Sequence, residues 1–169
     1  MDVLEAINTR RSIRKFTGEV ISDEEIKTIL KAGFQAPSAH NRQPREYIVL
    51  RDKEVLEAIA DFHQYAKMLP KAGCGIVVCG DKKLQPIFGF LISDCCASIE
   101  NMLLAAHGLG LGAVWCGVYP MEELMKPMAE LLNLPEHVVP VGMVVVGKKE
   151  EDKEPKDRYD ETKIHFDSW

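Results

Sequence analysis

Hydrophobic positions recur along the chain with periods near 3.6 and near 2, and divide it into helices and strands. Asp2 to Thr9 reads as a short helix with Val3, Leu4 and Ile7 turned inward. Ser22 ahead of Asp23, Glu24 and Glu25 is an N-cap with acids in the first turn. The helix behind it keeps Ile26, Ile29, Leu30 and Gly33 on one face until Pro37 stops it and a loop runs to Pro44. Glu46 to Leu50 reads as a strand. Asp52 caps a helix to about Tyr65, with Val55, Leu56, Ile59 and Phe62 inward.

Gly75 to Gly80 is a short apolar run closed by glycine, the pattern of a buried strand. A loop from Asp81 to Phe90 precedes the longest helix, Phe90 to His107, whose Leu91, Ile92, Cys95, Cys96, Ile99, Met102, Leu103 and Ala106 cover more than one stripe. A helix apolar on most faces lies in the domain centre or against a partner. Ala113 to Val118 is a strand, Glu122 to Leu132 a helix and Val138 to Gly147 a strong strand, in which Pro140 predicts an edge position or an irregular start. Ten of the eleven residues from Lys148 to Arg158 are charged, so this segment is an arm and not core. Beyond it the chain turns apolar again at Ile164, Phe166 and Trp169, which need a surface to bury on.

Composition narrows the class. At 169 residues and 46% hydrophobic the chain makes one domain with a real core, and 28% charged residues without a long polar tract argue against disorder. A net charge of −5 is wrong for a nucleic-acid binder. The first residues lack the basic head and apolar stretch of a signal peptide. No run reaches the ~18 apolar residues of a membrane span. Five cysteines without a CxxC indicate neither a disulfide framework nor a zinc site, and cytoplasm is the expected compartment. His40, His63 and His107 have no metal-ligand spacing and read as ordinary surface or core histidines.

Against that acidic balance, Arg10, Arg11, Arg14 and Lys15 fall within six residues, interleaved with Ser12 and Ile13. Arginine forks and a hydroxyl are donors suited to one phosphate, although a basic turn on the surface has the same composition. Three further stretches stand out: Gln35 to Pro44, small and amide residues at a helix end; Gly108-Leu-Gly-Leu-Gly-Ala-Val-Trp-Cys-Gly117; and Pro155-Lys156-Asp157-Arg158. Glycines 108, 110 and 112 follow a helix and enter a strand, the reverse of a dinucleotide-binding turn, and read as a helix cap and tight turn.

In this order and at these separations the four stretches resemble the nitroreductase family of flavin mononucleotide (FMN) oxidoreductases, over almost the whole chain. The resemblance implies an α+β fold with a mixed, mostly antiparallel sheet flanked by helices. It implies an intertwined homodimer with an exchanged C-terminal arm, so that residues 1–154 form one FMN-binding domain and 155–169 pack on the partner subunit. Arg10, Arg11 and Ser12 match the family's first FMN segment, holding phosphate and ribityl oxygens, and Lys156 and Arg158 match a late basic pair on the same phosphate. Arg14 matches a cation near the flavin N1 and O2; a surface ion pair is its plain alternative. Pro37, Ser38, Ala39, Asn41 and Gln43 match a loop reaching the flavin from the other subunit, or else a simple helix stop. Ala39 stands where many members have Ser, and Arg45 stands in place of a common aromatic, where it could put a cation near the ligand mouth. Val114, Trp115, Cys116 and Gly117 match the segment beside the flavin, with the N–H of Cys116 or Gly117 reaching N5. Gln64 and Lys67 loosely match contacts to the pyrimidine, and a lysine at a helix end is also ordinary.

The implied activity is hydride transfer from NAD(P)H to FMN and on to a nitroaromatic, quinone or similar small-molecule acceptor by ping-pong kinetics, without nucleic acid or membrane. A different FMN chemistry on the same scaffold, or a non-enzymatic flavin- or phosphate-binding module, are the alternatives.

Overall fold

The computed structural model describes all 169 residues. Helix α1 spans Val3–Thr9, α2 Asp23–Phe34, α3 Lys53–Phe62, α4 Leu69–Ala72, α5 Phe88–Gly108 and α6 Glu122–Leu131. The strands are β1 Arg45–Leu50, β2 Cys74–Asp81, β3 Gly112–Gly117 and β4 Val138–Gly147. They form one sheet in the order β1-β2-β4-β3, with every neighbouring pair antiparallel. The expected parallel component is confined to a single bridge between Ser12 and Ala113 on the outer edge of β3.

Alternation along β2 and β4 explains the layers. Ile76, Val78, Val144 and Val146 face α2 and α5, while Val77, Cys79, Met143 and Val145 face the side of α3, α4 and α6. Both central strands are therefore apolar on both faces and buried almost throughout. Pro140 does not mark an edge, since β4 is central. The register instead slips between Val78 and Cys79, whose partners are Gly142 and Pro140, so a bulge at Val141 accommodates the missing donor.

Several elements differ from the sequence pattern for identifiable reasons. The helix after Asp52 ends at Phe62, and a separate short helix, α4, follows; Pro70 in its first turn permits that start. α5 begins at Phe88, two residues earlier than predicted. It is 21 residues long with a mean hydropathy of 1.3 in its most apolar window, enough to cross a membrane by those measures, contrary to the sequence reading; here it packs on α2 and the sheet. α1 forms with the Asp2–Glu5 capping box, yet Val3 is 72% and Leu4 71% exposed. Its apolar face has no partner within the chain. The tail is likewise uncovered, with Phe166 84% and Trp169 fully exposed.

The first residues of the charged arm are tied down. Lys148 Nζ donates to Glu25 Oε1 at 2.6 Å, and Glu25 also closes the capping box of α2 with Ser22. The Lys148 and Ser22 hydrogen bonds hold the Glu25 carboxyl down at about 2, against an ordinary 4.5. A depressed carboxyl stabilises the fold above pH ~4.5, and that contribution disappears as pH falls toward 2. Glu25→Gln is accordingly expected to lower thermal stability at pH 7 and to flatten the loss of stability in that acid window. Parallel acid titrations of the two proteins followed by circular dichroism check this; coincident curves would refute it.

Candidate functional site

The segment Arg10 to Lys15 leaves the end of α1 and runs extended along the outer edge of β3, where Ile13 N donates to Ala113 O at 3.0 Å. Gly112 makes the approach possible, because a Cβ there would lie 2.7 Å from Ile13 Cγ2. The arm beyond β4 packs on the same segment. Arg14 N donates to Glu151 Oε1 at 2.7 Å, Lys153 Nζ to Ser12 O at 2.7 Å, and Glu150 N to Lys15 O at 2.9 Å.

A cavity of about 440 Å³ opens where arm and α1 meet, lined by Ile7, Asn8, Arg11, Lys156, Arg158 and Tyr159 among others. Three cations predicted from two distant stretches are thus brought together. Arg11 is fixed by donating to three carbonyls: Nη1 to Arg10 O at 2.6 Å, Nε to Glu154 O at 3.2 Å and Nη2 to Lys156 O at 3.3 Å. Arg10 does not line the cavity; its Nε lies 3.5 Å from Glu100 Oε1 of α5. Positive potential reaches His107, whose protonation is disfavoured by burial first and then by Lys149, Arg10 and Arg11.

At the other end of β3 lies a second cavity of about 510 Å³, lined mainly by Phe62, Gln64, Tyr65, Gly117, Tyr119 and Met121. A Cβ on Gly117 would meet nothing within 4 Å, so this end of the strand faces open space. Ala113 O and Gly117 O both bond away from β4, to Ile13 N and to His63 Nε2 (2.9 Å) respectively. Antiparallel alternation then directs the backbone groups of Ala113, Trp115 and Gly117 to the outer edge, and those of Val114 and Cys116 to β4. Of the two amides considered from sequence, only that of Gly117 faces outward; Cys116 is spent on the sheet.

The side chains of this strand are structural. Val114 and Cys116 are buried. Trp115 packs its indole over Gly142, where a Cβ would come within 2.5 Å of Nε1. Cys116 Sγ donates to Tyr65 O at 3.4 Å, and burial pushes its thiol up to about 11 despite the nearby Arg14 cation. Cys79 and Cys95 are pushed up to about 12 by the same cause, so none of these three is a ready thiolate. No group of three His, Cys, Asp or Glu side chains is placed to hold a metal. Lys67 is occupied at the end of α3, donating to Ala60 O at 2.6 Å and Asp61 O at 3.3 Å, the ordinary role of a cation at a helix C-terminus.

The loop from Pro37 to Gln43 lines neither cavity. It is stiff all the same. Ser38 Oγ accepts from Gln43 N at 2.9 Å and Gln43 Nε2 at 3.1 Å, and Gln43 Nε2 also donates to Asn41 Oδ1 at 2.7 Å. Ala39 N donates to Asp94 Oδ1 of α5 at 2.8 Å. His40, Asn41 and Gln43 have φ of 54°, 54° and 50°, a left-handed conformation unusual for three non-glycine residues so close together. Arg45 corrects the sequence reading: it is only 4% exposed and not at a ligand mouth. Its guanidinium donates to Pro37 O at 2.9 Å, Phe34 O at 3.3 Å and Gln43 Oε1, clamping the loop from beneath. His63 is a core histidine, one of the two readings the sequence left open. It is fully buried and tied to Gly117, and no spacing rule in the sequence signals that contact.

Comparison with known proteins identifies the family. The Nitroreductase family profile matches residues 7–75 and 63–148. The chain belongs to the nitroreductase family. A Methanothermobacter thermautotrophicus protein named "Putative NADH dehydrogenase/NAD(P)H nitroreductase" is 44% identical over 169 residues, covering 100% of this chain and 88% of the relative. A solved Parabacteroides distasonis structure of the same name superposes on this chain with a TM-score of 0.95 at 36% identity, over 98% of both chains. The NADPH:FMN oxidoreductase of Vibrio harveyi, solved with NAD+, gives a TM-score of 0.88 at 28% identity, over 98% of this chain and 77% of its own.

Because Arg45 is itself buried and its guanidinium makes three hydrogen bonds at the foot of the loop, Arg45→Met is expected to cost about 2–4 kcal/mol, more than a surface change would. Urea denaturation measures the loss, and protease nicking should appear first between residues 37 and 43. An unchanged urea midpoint would show that the clamp is dispensable.

Proposed function

We propose that this chain is an FMN-dependent NAD(P)H oxidoreductase of nitroreductase type. The observation that carries the reading is the alignment of two half-sites along one strand edge. Arg11, Lys156 and Arg158 surround a cavity near the start of β3, and the outward amide of Gly117 borders an open cavity at its end. A cluster of cations suits a phosphate dianion, and an amide donor at an uncrowded glycine suits the polar edge of a flat ring. The residues therefore fit FMN lying along β3. When bound, FMN supplies two-electron transfer, from NAD(P)H to an acceptor such as a nitroaromatic or quinone.

The chain's own part is to bind and orient. Arg11 is held rigid by three carbonyls, so its remaining donors meet a phosphate at little entropic cost. Ser12, extended beside Ala113, is placed for the ribityl chain, and Arg10 supports Arg11 from its pair with Glu100. Arg14, farther along and close enough to act on Cys116, puts a cation by the ring edge. Gln64 borders the ring cavity, and Lys67 sets the turn that carries it. One open edge serving donor and acceptor in turn gives ping-pong kinetics. Five free thiols suit a cytoplasmic compartment.

Within one chain the Pro37–Gln43 loop lies outside both cavities, while α1 and the tail expose apolar faces. A homodimer accounts for all three: the stiff loop reaches the partner's flavin, and the apolar end of the 155–169 arm, from Ile164 on, packs on the partner while Lys156 and Arg158 stay with Arg11 of their own chain. Light scattering of the intact protein should give twice the chain mass, and removal of residues 155–169 should weaken both the dimer and FMN retention. A yellow, monomeric intact protein would overturn the dimer.

The test of the function is direct. The purified protein should be yellow and should bleach anaerobically with NADH or NADPH. A flavin that neither donor reduces would make the chain a binding module. Arg11→Ala should raise the FMN dissociation constant by roughly 10- to 150-fold, the worth of one charge-assisted bond to a phosphate. Fluorescence titration measures it, and an unchanged constant would place the phosphate elsewhere.

A further inference from the structure

We propose that His63 is a positioning residue for the Gly117 amide, and through it for the electron-transfer edge of the flavin; this rests on the FMN reading above. His63 is fully buried at the end of α3, and its backbone N–H donates to Ile59 O at 2.9 Å. Its Nε2 lies 2.9 Å from Gly117 O. A carbonyl only accepts, so Nε2 carries the hydrogen and the ring is the Nε2–H tautomer. Nδ1 is buried with no partner, so the Gly117 bond is the only polar contact the ring makes. A buried polar ring kept for one bond points to that bond as its purpose.

Glycine is the residue least able to hold its own backbone direction. Gly117 is also at the last position of an edge strand, where sheet pairing no longer restrains its outer groups. His63 supplies the missing restraint. The peptide joining Gly117 and Val118 is gripped on both sides, its oxygen by His63 and its nitrogen by Val141 O at 3.2 Å. With that plane held, the torsions of Gly117 are limited and its N–H keeps one direction. The bond has a second effect. Gly117 presents both a donor and an acceptor to the outer edge, and His63 occupies the acceptor. The edge facing the cavity then reads as a donor, which favours an electron-rich ring atom over an electron-poor one. Cys116 Sγ, donating to Tyr65 O, fastens the same turn to the same strand end, so the distance between His63 and Gly117 is held from both sides.

Three measurements test this. In the flavin-free wild type, nitrogen NMR of the imidazole should show hydrogen on Nε2 and none on Nδ1; the opposite tautomer overturns the proposal without any variant. In flavin-free His63→Phe, which keeps the ring but loses the donor, exchange of the Val118 amide, the bonded nitrogen of the same peptide, should quicken at least tenfold, and His63→Gln, which keeps a donor, should restore much of the protection. In the FMN-loaded proteins, His63→Phe should shift the redox equilibrium about tenfold toward oxidised flavin, a midpoint about 30 mV lower, with His63→Gln recovering it and FMN affinity changing less than the potential does. Equal exchange and equal midpoints in wild type and His63→Phe would make His63 a plain core residue. If the protein binds no FMN, the functional reading fails by itself, and the tautomer and exchange results still decide whether His63 holds Gly117.

Discussion

The constraint on which the rest depends is the burial of β4 between β2 and β3 with apolar side chains on both faces. A strand covered on two sides must pair on both edges, since unpaired backbone groups there could not reach water. Pairing β4 in this way pushes β3 to the rim of the sheet with its outer edge unpaired beyond Ala113. Both cavities described above lie along that rim. The Arg10–Lys15 segment, the charged arm, Gly117 and His63 all reach β3 from outside the sheet, and none could do so if another strand covered it.

An open strand edge is usually a liability. Here the edge is shared out. Ile13 pairs with Ala113, His63 takes the carbonyl of Gly117, and the amides of Trp115 and Gly117 and the carbonyl of Trp115 remain. The edge therefore carries two outward donors and is polar along its length, with a cation cluster at one end and a largely apolar cavity at the other. The rigidity comes from the layers beneath, where α5 packs on all four strands and the thiols of Cys79, Cys95 and Cys116 serve as small core groups.

Opposed charge organises the N- and C-terminal segments. Ten charged residues beyond β4 look like a solvated run, but Lys148, Glu150, Glu151, Lys153 and Glu154 each bond to α2 or to the Arg10–Lys15 segment. Individually such exposed pairs contribute little. Their combined effect is geometric: they lay the arm along the basic segment and bring Lys156 and Arg158 to Arg11.

Local pattern determined the elements. The boundaries of β4, the start of α2 at its Ser22 cap and the buried character of β2 and α5 were all legible, because capping and periodicity act over a few residues. The clustering of Arg11 with Lys156 and Arg158 was legible only through family resemblance, as about 145 residues separate them. What tertiary structure alone decided is which groups face what. Arg45 became an internal clamp because the last carbonyl of α2, the Pro37 carbonyl and the Gln43 side-chain oxygen converge on it. Pro140 sits in a central strand because a bulge opposite β2 absorbs its missing donor. Cys116 lost its amide to β4 and Gly117 kept its own because parity along an edge strand is set by the neighbour it pairs with. His63 gained its role from a contact spanning 54 positions, and no rule of composition or spacing encodes such a contact.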